Sequence, residues 1–163
     1  MATTQEFRII LSIDETAKAE AAAALYHYDV AVIGTDDRAR IGAKLCDASG
    51  AALGGLWGRT ELGLLFLDMF FLPARLRGQS YSTQLLIAVE QEARRRGCKQ
   101  AVVETSSFQA PEFYIRQGYA EFGRVPLGIE WQARVLLRKE RSMMSRMPGA
   151  PVQRNATRST CAT

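Results

Sequence analysis

Two features of this 163-residue sequence could carry chemistry: a single acid inside an apolar run, and a basic, glycine-containing turn a few residues later. The run is residues 64–72, rich in leucine and phenylalanine, and its one charged residue is Asp68. A carboxylate is costly to bury unless it is paired or used, so Asp68 is a candidate proton acceptor. A solvated residue at a strand edge would explain it equally well. The turn is Arg75-Leu76-Arg77-Gly78-Gln79-Ser80, after Pro73. It leads into a helix over about residues 79–96, with Leu85, Leu86, Val89 and Ala93 on one face. Such a turn aims backbone N–H groups at the positive mouth of a helix, which suits a phosphate. Arg75 and Arg77 add mobile positive charge beside it. An ordinary strand–turn–helix connection remains the competing explanation.

The elements that would position these residues follow from periodicity. Residues 7–11 read as a first strand, and Ser12 or Asp14 caps a helix continued by residues 17–28. Residues 30–33 are apolar and end at Gly34. Residues 38–46 alternate, with Ala39, Ile41, Ala43 and Leu45 on one face and Arg38, Arg40 and Lys44 on the other. Turns at residues 47–50 and 61–63 make residues 38–72 a three-stranded antiparallel meander. Gly54, Gly55 and Gly58 in its middle strand relieve packing or allow a bulge. The run Arg94-Arg95-Arg96-Gly97 suits the C-terminal end of a helix. Residues 99–104 form a strand parallel to 64–72, because a helix crosses between them. A short helix over residues 110–117 closes at Gly118, and residues 119–124 and 132–138 read as two last strands.

Length and composition suggest one domain with an adequate core. The net charge of +4 is unevenly placed: from Arg138 onward there are six basic residues and one acid, and the rest is near neutral. Residues 141–163 mix Ser, Thr, Pro, Met and Arg without periodicity and read as a poorly ordered basic tail. A near-neutral folded part argues against a nucleic-acid partner. No secretory signal and no membrane-length apolar run is apparent, so no membrane partner is expected. Cys46, Cys98 and Cys161 are odd in number and widely spaced, which fits reduced thiols in a cytoplasm. His27 is the single histidine; nothing in the sequence sets it beside Cys98 as a nucleophile pair, and no cluster has metal-ligand spacing.

The turn Arg75 to Ser80 resembles the R/Q-x-x-G-x-G/A segment of the GNAT superfamily of acetyl-CoA-dependent N-acyltransferases, which cradles the pyrophosphate of coenzyme A. About 30 residues on, Ala110-Pro111-Glu112-Phe113-Tyr114-Ile115-Arg116-Gln117-Gly118-Tyr119 is similar to that superfamily's A-x-x-hydrophobic-Y-x-x-x-G-F/Y segment. With the element order the likeness covers roughly residues 6–140. Departures are Ser80, where glycine or alanine is usual, Ser82, where another small residue is usual, and Ser107, where asparagine is frequent. The resemblance implies an α/β (α+β) three-layer fold over residues 1–140: a mixed, mostly antiparallel sheet flanked by helices, with two parallel strands splayed apart. It implies that the pantetheine arm pairs with backbone at Met69, Phe70, Phe71 and Leu72. The pyrophosphate would lie against Arg75, Arg77, Gly78, Gln79, Ser80, Tyr81 and Ser82, with further cofactor contacts at Ser107 and Ala110.

Acyl transfer to an amine needs a neutral amine, a donor for the developing oxyanion and a proton for the leaving thiolate. Asp68 is the leading base, Glu104 the rival, and water could relay the proton from either. By resemblance the backbone N–H near Phe70 is the oxyanion donor and Tyr114 protonates the thiolate; a core aromatic is the plainer role for that tyrosine. The expected activity is N-acetyl transfer from acetyl-CoA, as co-substrate and without a metal, to a primary amine of a small molecule or peptide. A non-catalytic acyl-CoA-binding module is the alternative, and a basic-tailed adaptor for nucleic acid or anionic membrane is a third reading confined to the tail. A homodimer is compatible with the sequence.

Overall fold

The computed structural model describes residues 7–140; the tail expected over residues 141–163 lies outside the described residues. The chain falls into two compact units, one ending at Asp36 and one beginning at Asp37. In the first, α1 spans Glu15–Ile33. The Asp14 carboxylate accepts from the N–H groups of Thr16 and Ala17, at 2.9 and 3.1 Å, and so caps two orphan donors. Gly34 ends the helix with φ of 75°, a left-handed conformation that costs glycine little. The apolar residues 30–33 are therefore the last turn of this helix. Residues 7–11, expected as a strand, form no regular element: a strand needs a ladder partner and these residues have none among those described.

The second unit holds a six-stranded sheet in the order β1-β2-β3-β4-β6-β5. The strands are β1 Ala39–Cys46, β2 Ala52–Glu61, β3 Leu64–Phe71, β4 Gln100–Ser106, β5 Ala120–Pro126 and β6 Ala133–Glu140. Neighbours are antiparallel except β3 and β4. Between these two runs the crossover helix α2, Tyr81–Arg95. A short helix α3, Pro111–Arg116, joins β4 to β5. This is the mixed, mostly antiparallel sheet flanked by helices that the sequence led us to expect.

Burial follows the alternation of the strands. Ile41, Leu56, Leu65, Leu67, Ala101, Val103, Val135 and Leu137 meet Leu85, Leu86, Val89 and Ala93 of α2 in one core. Tyr114 of α3 and Tyr119 belong to the same cluster. The end of α2 folds back as the arginine–glycine run requires: Gly97 takes φ of 89°, and the Cys98 N–H donates to the Ala93 carbonyl at 3.0 Å. Arg96 then reaches across to donate to the Arg40 carbonyl at 2.9 Å, tying the helix end to the sheet edge.

Candidate active site

The β3–β4 ladder is short. It pairs Leu64 with Gln100 through Leu67 with Val103 and stops. Beyond that point β4 stays with β6 as far as Ser106 opposite Arg134, while β3 stays with β2 as far as Phe71 opposite Gly55. The two strands therefore part just after Leu67. The cause is a bulge: Trp57 faces Met69 and Gly58 faces Leu67, so Asp68 has no partner on β2. From Asp68 onward, the edge of β3 that faced β4 has no strand beside it.

A cleft of about 670 Å³ opens where the strands diverge. Asp68, Glu104, Arg134, Phe113, Tyr114, Arg77, Gly78 and Ser82 all line it. Met69, Phe70, Phe71, Leu72 and Ala110 also face it. The structure thus brings both candidate bases and the candidate acid to one cavity with part of the phosphate turn.

Neither carboxylate stands alone. The Arg59 guanidinium donates to Asp68 at 2.6 Å, and that of Arg134 donates to Glu104 at 2.6 Å. Both acids are about half exposed, so each pair is solvated and worth little as a brace. Its effect is to orient each carboxylate. Arg59 itself lies 4.2 Å from the centre of the Phe66 ring. The sequence reading named neither arginine. Their signal was strand alternation, which puts Arg59 opposite Phe66, two residues before Asp68, and Arg134 opposite Ser106, two residues after Glu104.

Tyr114 is buried to within 5% of full cover. Burial pushes its phenol up to about 12, so it stays protonated through neutral and mildly alkaline conditions. It belongs to an aromatic file in which ring centres follow at 5.7 Å from Phe70 to Phe113, 5.2 Å to Tyr114 and 5.6 Å to Tyr119. The file is the apolar wall that raises the phenol.

The turn has an internal scaffold. Residues Ala74–Leu76 make one 3-10 turn. The Arg77 side chain donates from Nε to the Leu72 carbonyl at 3.0 Å, and the Gln79 amide donates to the Arg75 carbonyl at 2.7 Å. Gly78 and Ser80 both take positive φ, 74° and 62°. Ser80 gives no side-chain cap to α2, so the first N–H groups of that helix are left for another acceptor, as an anion site requires. Arg75, Gln79, Ser80 and Tyr81 do not line the cleft; Gln79 shapes the turn and Tyr81 packs against the core. Ser107 also lies away from the cleft lining. Its hydroxyl donates to Gln132 at 2.6 Å and accepts from the Ala133 N–H at 3.0 Å.

A larger, more open groove of about 850 Å³ runs between β1 and α2. Its acid, Glu92, is bonded to Arg95 and Arg96, which hold its carboxyl below the usual range and make it a poor base. Cys98 is buried, and burial pushes its thiol up, against a nucleophilic role. Among the described residues no group of three or more His, Cys, Asp or Glu is placed to hold a metal, and no helix is long and apolar enough to cross a membrane.

The comparisons with known proteins agree with this geometry. The family model described as the acetyltransferase (GNAT) family matches residues 8–119. The acetyltransferase Atu2258 of Agrobacterium fabrum is 33% identical over 115 residues, which is 68% of this chain and 84% of that protein. The blasticidin-S acetyltransferase of Streptomyces morookaense is 37% identical over 82 residues, half of this chain and 60% of that protein. A crystal structure from Agrobacterium tumefaciens superposes with a TM-score of 0.76, at 29% identity over 83% of this chain and 99% of the other. The chain belongs to the acetyltransferase (GNAT) family. It is an acyltransferase that moves an acetyl group from acetyl-CoA to an amine.

Proposed function

We propose that the acceptor is a primary amine of a small molecule, taken up at the Asp68–Glu104 end of the cleft while coenzyme A enters from the phosphate turn. The observation that carries this reading is the end of the β3–β4 ladder at Leu67 and Val103, beyond which one cavity is lined by Asp68, Glu104 and Tyr114 together with Arg77 and Gly78 of the turn. Similarity to a blasticidin-S acetyltransferase supports a small molecule over a peptide. The reading includes one catalytic domain over residues 1–140, supported by the family match across residues 8–119, and a separate basic segment over residues 141–163.

The residues fit the co-substrate. The uncapped start of α2, Arg77 and Gly78 suit a pyrophosphate, and the free edge of β3 suits an amide-bearing arm. When bound, acetyl-CoA supplies a thioester carbonyl. Asp68, held by Arg59, accepts a proton from the amine, directly or through water, so that the nitrogen lone pair can form the new C–N bond. Glu104, held by Arg134, is the second group able to take that proton. The backbone N–H near Phe70 donates to the acyl oxygen as charge builds there. Tyr114 gives its proton to sulfur as the C–S bond breaks; the new C–N nitrogen, which still carries one proton too many, releases it through water, and that proton restores the phenol, leaving an amide and a free thiol.

A free-thiol release assay across a panel of small amines and short peptides, paired with acetyl-CoA calorimetry, tests the reading. Turnover confined to small amines is the expected result. Cofactor binding without turnover on any amine would favour the non-catalytic module.

A further inference from the structure

Behind Tyr114 lies a charged cluster that the chemistry above leaves unused. Lys139 of β6 donates to Glu90 of α2 at 2.8 and 3.0 Å, with side chains only 3% and 0% exposed. The Tyr119 hydroxyl donates to the same carboxylate at 2.9 Å. The Lys139 ammonium also sits 5.4 Å from the centre of the Tyr119 ring. An ion pair this deep is expensive to desolvate, and apolar residues of like volume commonly serve stability as well or better. Stability alone therefore gives no reason for three polar groups in the middle of this core.

Their shared neighbour is Tyr114. The Tyr119 ring meets the Tyr114 ring edge-on, at 5.6 Å and 71°. The Tyr119 N–H donates to the Tyr114 carbonyl at 3.0 Å, across a turn that Gly118 permits with φ of 89°. Tyr114 thus contacts Tyr119 through backbone and ring at once. Its own helix cannot supply comparable rigidity: α3 has six residues and no side-chain cap at its start. Glu90, Lys139 and Tyr119 do not line the cleft.

We propose that the buried Lys139–Glu90–Tyr119 cluster is a positioning device that fixes the Tyr114 hydroxyl in the cleft. It ties α2 and β6 to the one short helix that carries the acid. The inference rests on the reading of Tyr114 as that acid, and the three cluster residues act through it without touching substrate.

The test replaces the pair and keeps its volume. Glu90→Leu with Lys139→Met removes both charges and leaves Tyr119 without its acceptor. Acetyl-CoA affinity should stay near wild type, with a modest drop in melting temperature from the unpaired Tyr119 hydroxyl, while kcat falls about tenfold to a hundredfold, the scale of a misplaced catalytic group. In a Tyr114→Phe background the same double change should cost no further turnover. NMR of tyrosine labelled with carbon-13 at Cζ gives a readout apart from activity, with the Tyr114 line assigned by its loss in Tyr114→Phe. That line should be narrow in wild type and broadened or shifted in the double variant. Should the double variant fail to fold, Tyr119→Phe removes one hydroxyl and carries the same measurements. A folded variant with wild-type kcat and an unchanged Tyr114 line would overturn the proposal. An equal loss of kcat in the Tyr114→Phe background would do so too, leaving the acid role intact. Wild-type turnover in Tyr114→Phe alone would instead remove the acid role, while the Tyr114 line still reports whether the cluster holds the ring.

Discussion

Gly58 on β2 stands against the Phe66 carbonyl of β3 so closely that a Cβ at Gly58 would lie 2.0 Å from that oxygen. Gly54 has the same relation to the Phe71 carbonyl, at 2.4 Å. These two glycines let the bulged half of β3 lean onto β2 and away from β4. Gly58→Ala meets backbone, which cannot move aside cheaply, so it should cost about 1–3 kcal/mol of stability. It should also weaken coenzyme A binding. Gly128→Ala is the matched control, since nothing lies within 4 Å of its Cβ. Denaturant titration and calorimetry on both variants check this; an unaffected Gly58→Ala would mean that the bulge does not depend on glycine.

Ser80 holds φ of 62° at the mouth of α2. Left-handed backbone costs a residue with a side chain roughly 1–2 kcal/mol. Glycine would relieve that cost and give back about 0.5–1 kcal/mol in the unfolded chain. Ser80→Gly should therefore leave the melting temperature equal or slightly higher, with equal or tighter coenzyme A binding by calorimetry. A tenfold weaker complex would assign the serine hydroxyl a direct part in binding.

Tyr114→Phe removes one hydroxyl from a packed ring. Turnover should fall by ~10²–10⁴, the span of a positioned acid, while acetyl-CoA affinity stays near wild type. The variant has a second signature. Burial pushes the folded phenol up to about 12 from an ordinary 10.0, so its contribution to the folded state is fully present below pH 10 and is lost as pH rises from 10 through 12. Tyr114→Phe should flatten part of the alkaline fall in stability, with the rest remaining because burial also raises Tyr119. Melting curves between pH 9 and pH 11 measure it.

Asp68 sits in the bulge, two residues before the expected oxyanion donor, whereas Glu104 lies on the neighbouring strand. Asp68→Asn should lower kcat by ~10²–10⁴ and Glu104→Gln by much less. Steady-state kinetics with a saturating primary amine decide the order. The reverse ranking transfers the base role to Glu104, and two active variants leave it to water.

Much of this architecture is written locally. The alternation of Ala39 to Leu45, the apolar face of α2 and the glycine after Arg96 each specify an element without help from the rest of the chain. The basic turn was legible because its residues are consecutive. Gly54, Gly55 and Gly58 allowed for a bulge, but its place at Asp68 was not legible, since that appears only when Trp57 is known to face Met69 and Gly58 to face Leu67. Asp68 and Glu104 stood out as single acids, but the arginines that hold them come from other strands. Lys139 was hidden for another reason: it stands between Arg138 and Glu140 in a run that reads as solvated, yet strand alternation turns it inward to Glu90. The strand expected at residues 7–11 rested on apolar content alone, which cannot specify a ladder partner.

The sheet is two antiparallel triplets, β1-β2-β3 and β4-β6-β5, and each is drawn from one continuous stretch of chain. The β1–β2, β2–β3 and β5–β6 pairs are hairpins of short span, whereas β4 joins both β3 and β6 across long stretches of chain, so its two ladders must wait for larger loops to close. Contact order thus favours the β1-β2-β3 meander and the β5–β6 hairpin forming first, with β4 entering between β3 and β6 along the Leu64–Leu67 edge. The active-site gap lies directly beyond that meeting line. Finishing the fold and creating the catalytic cavity are then a single event, and a half-formed molecule has no partial site to misuse.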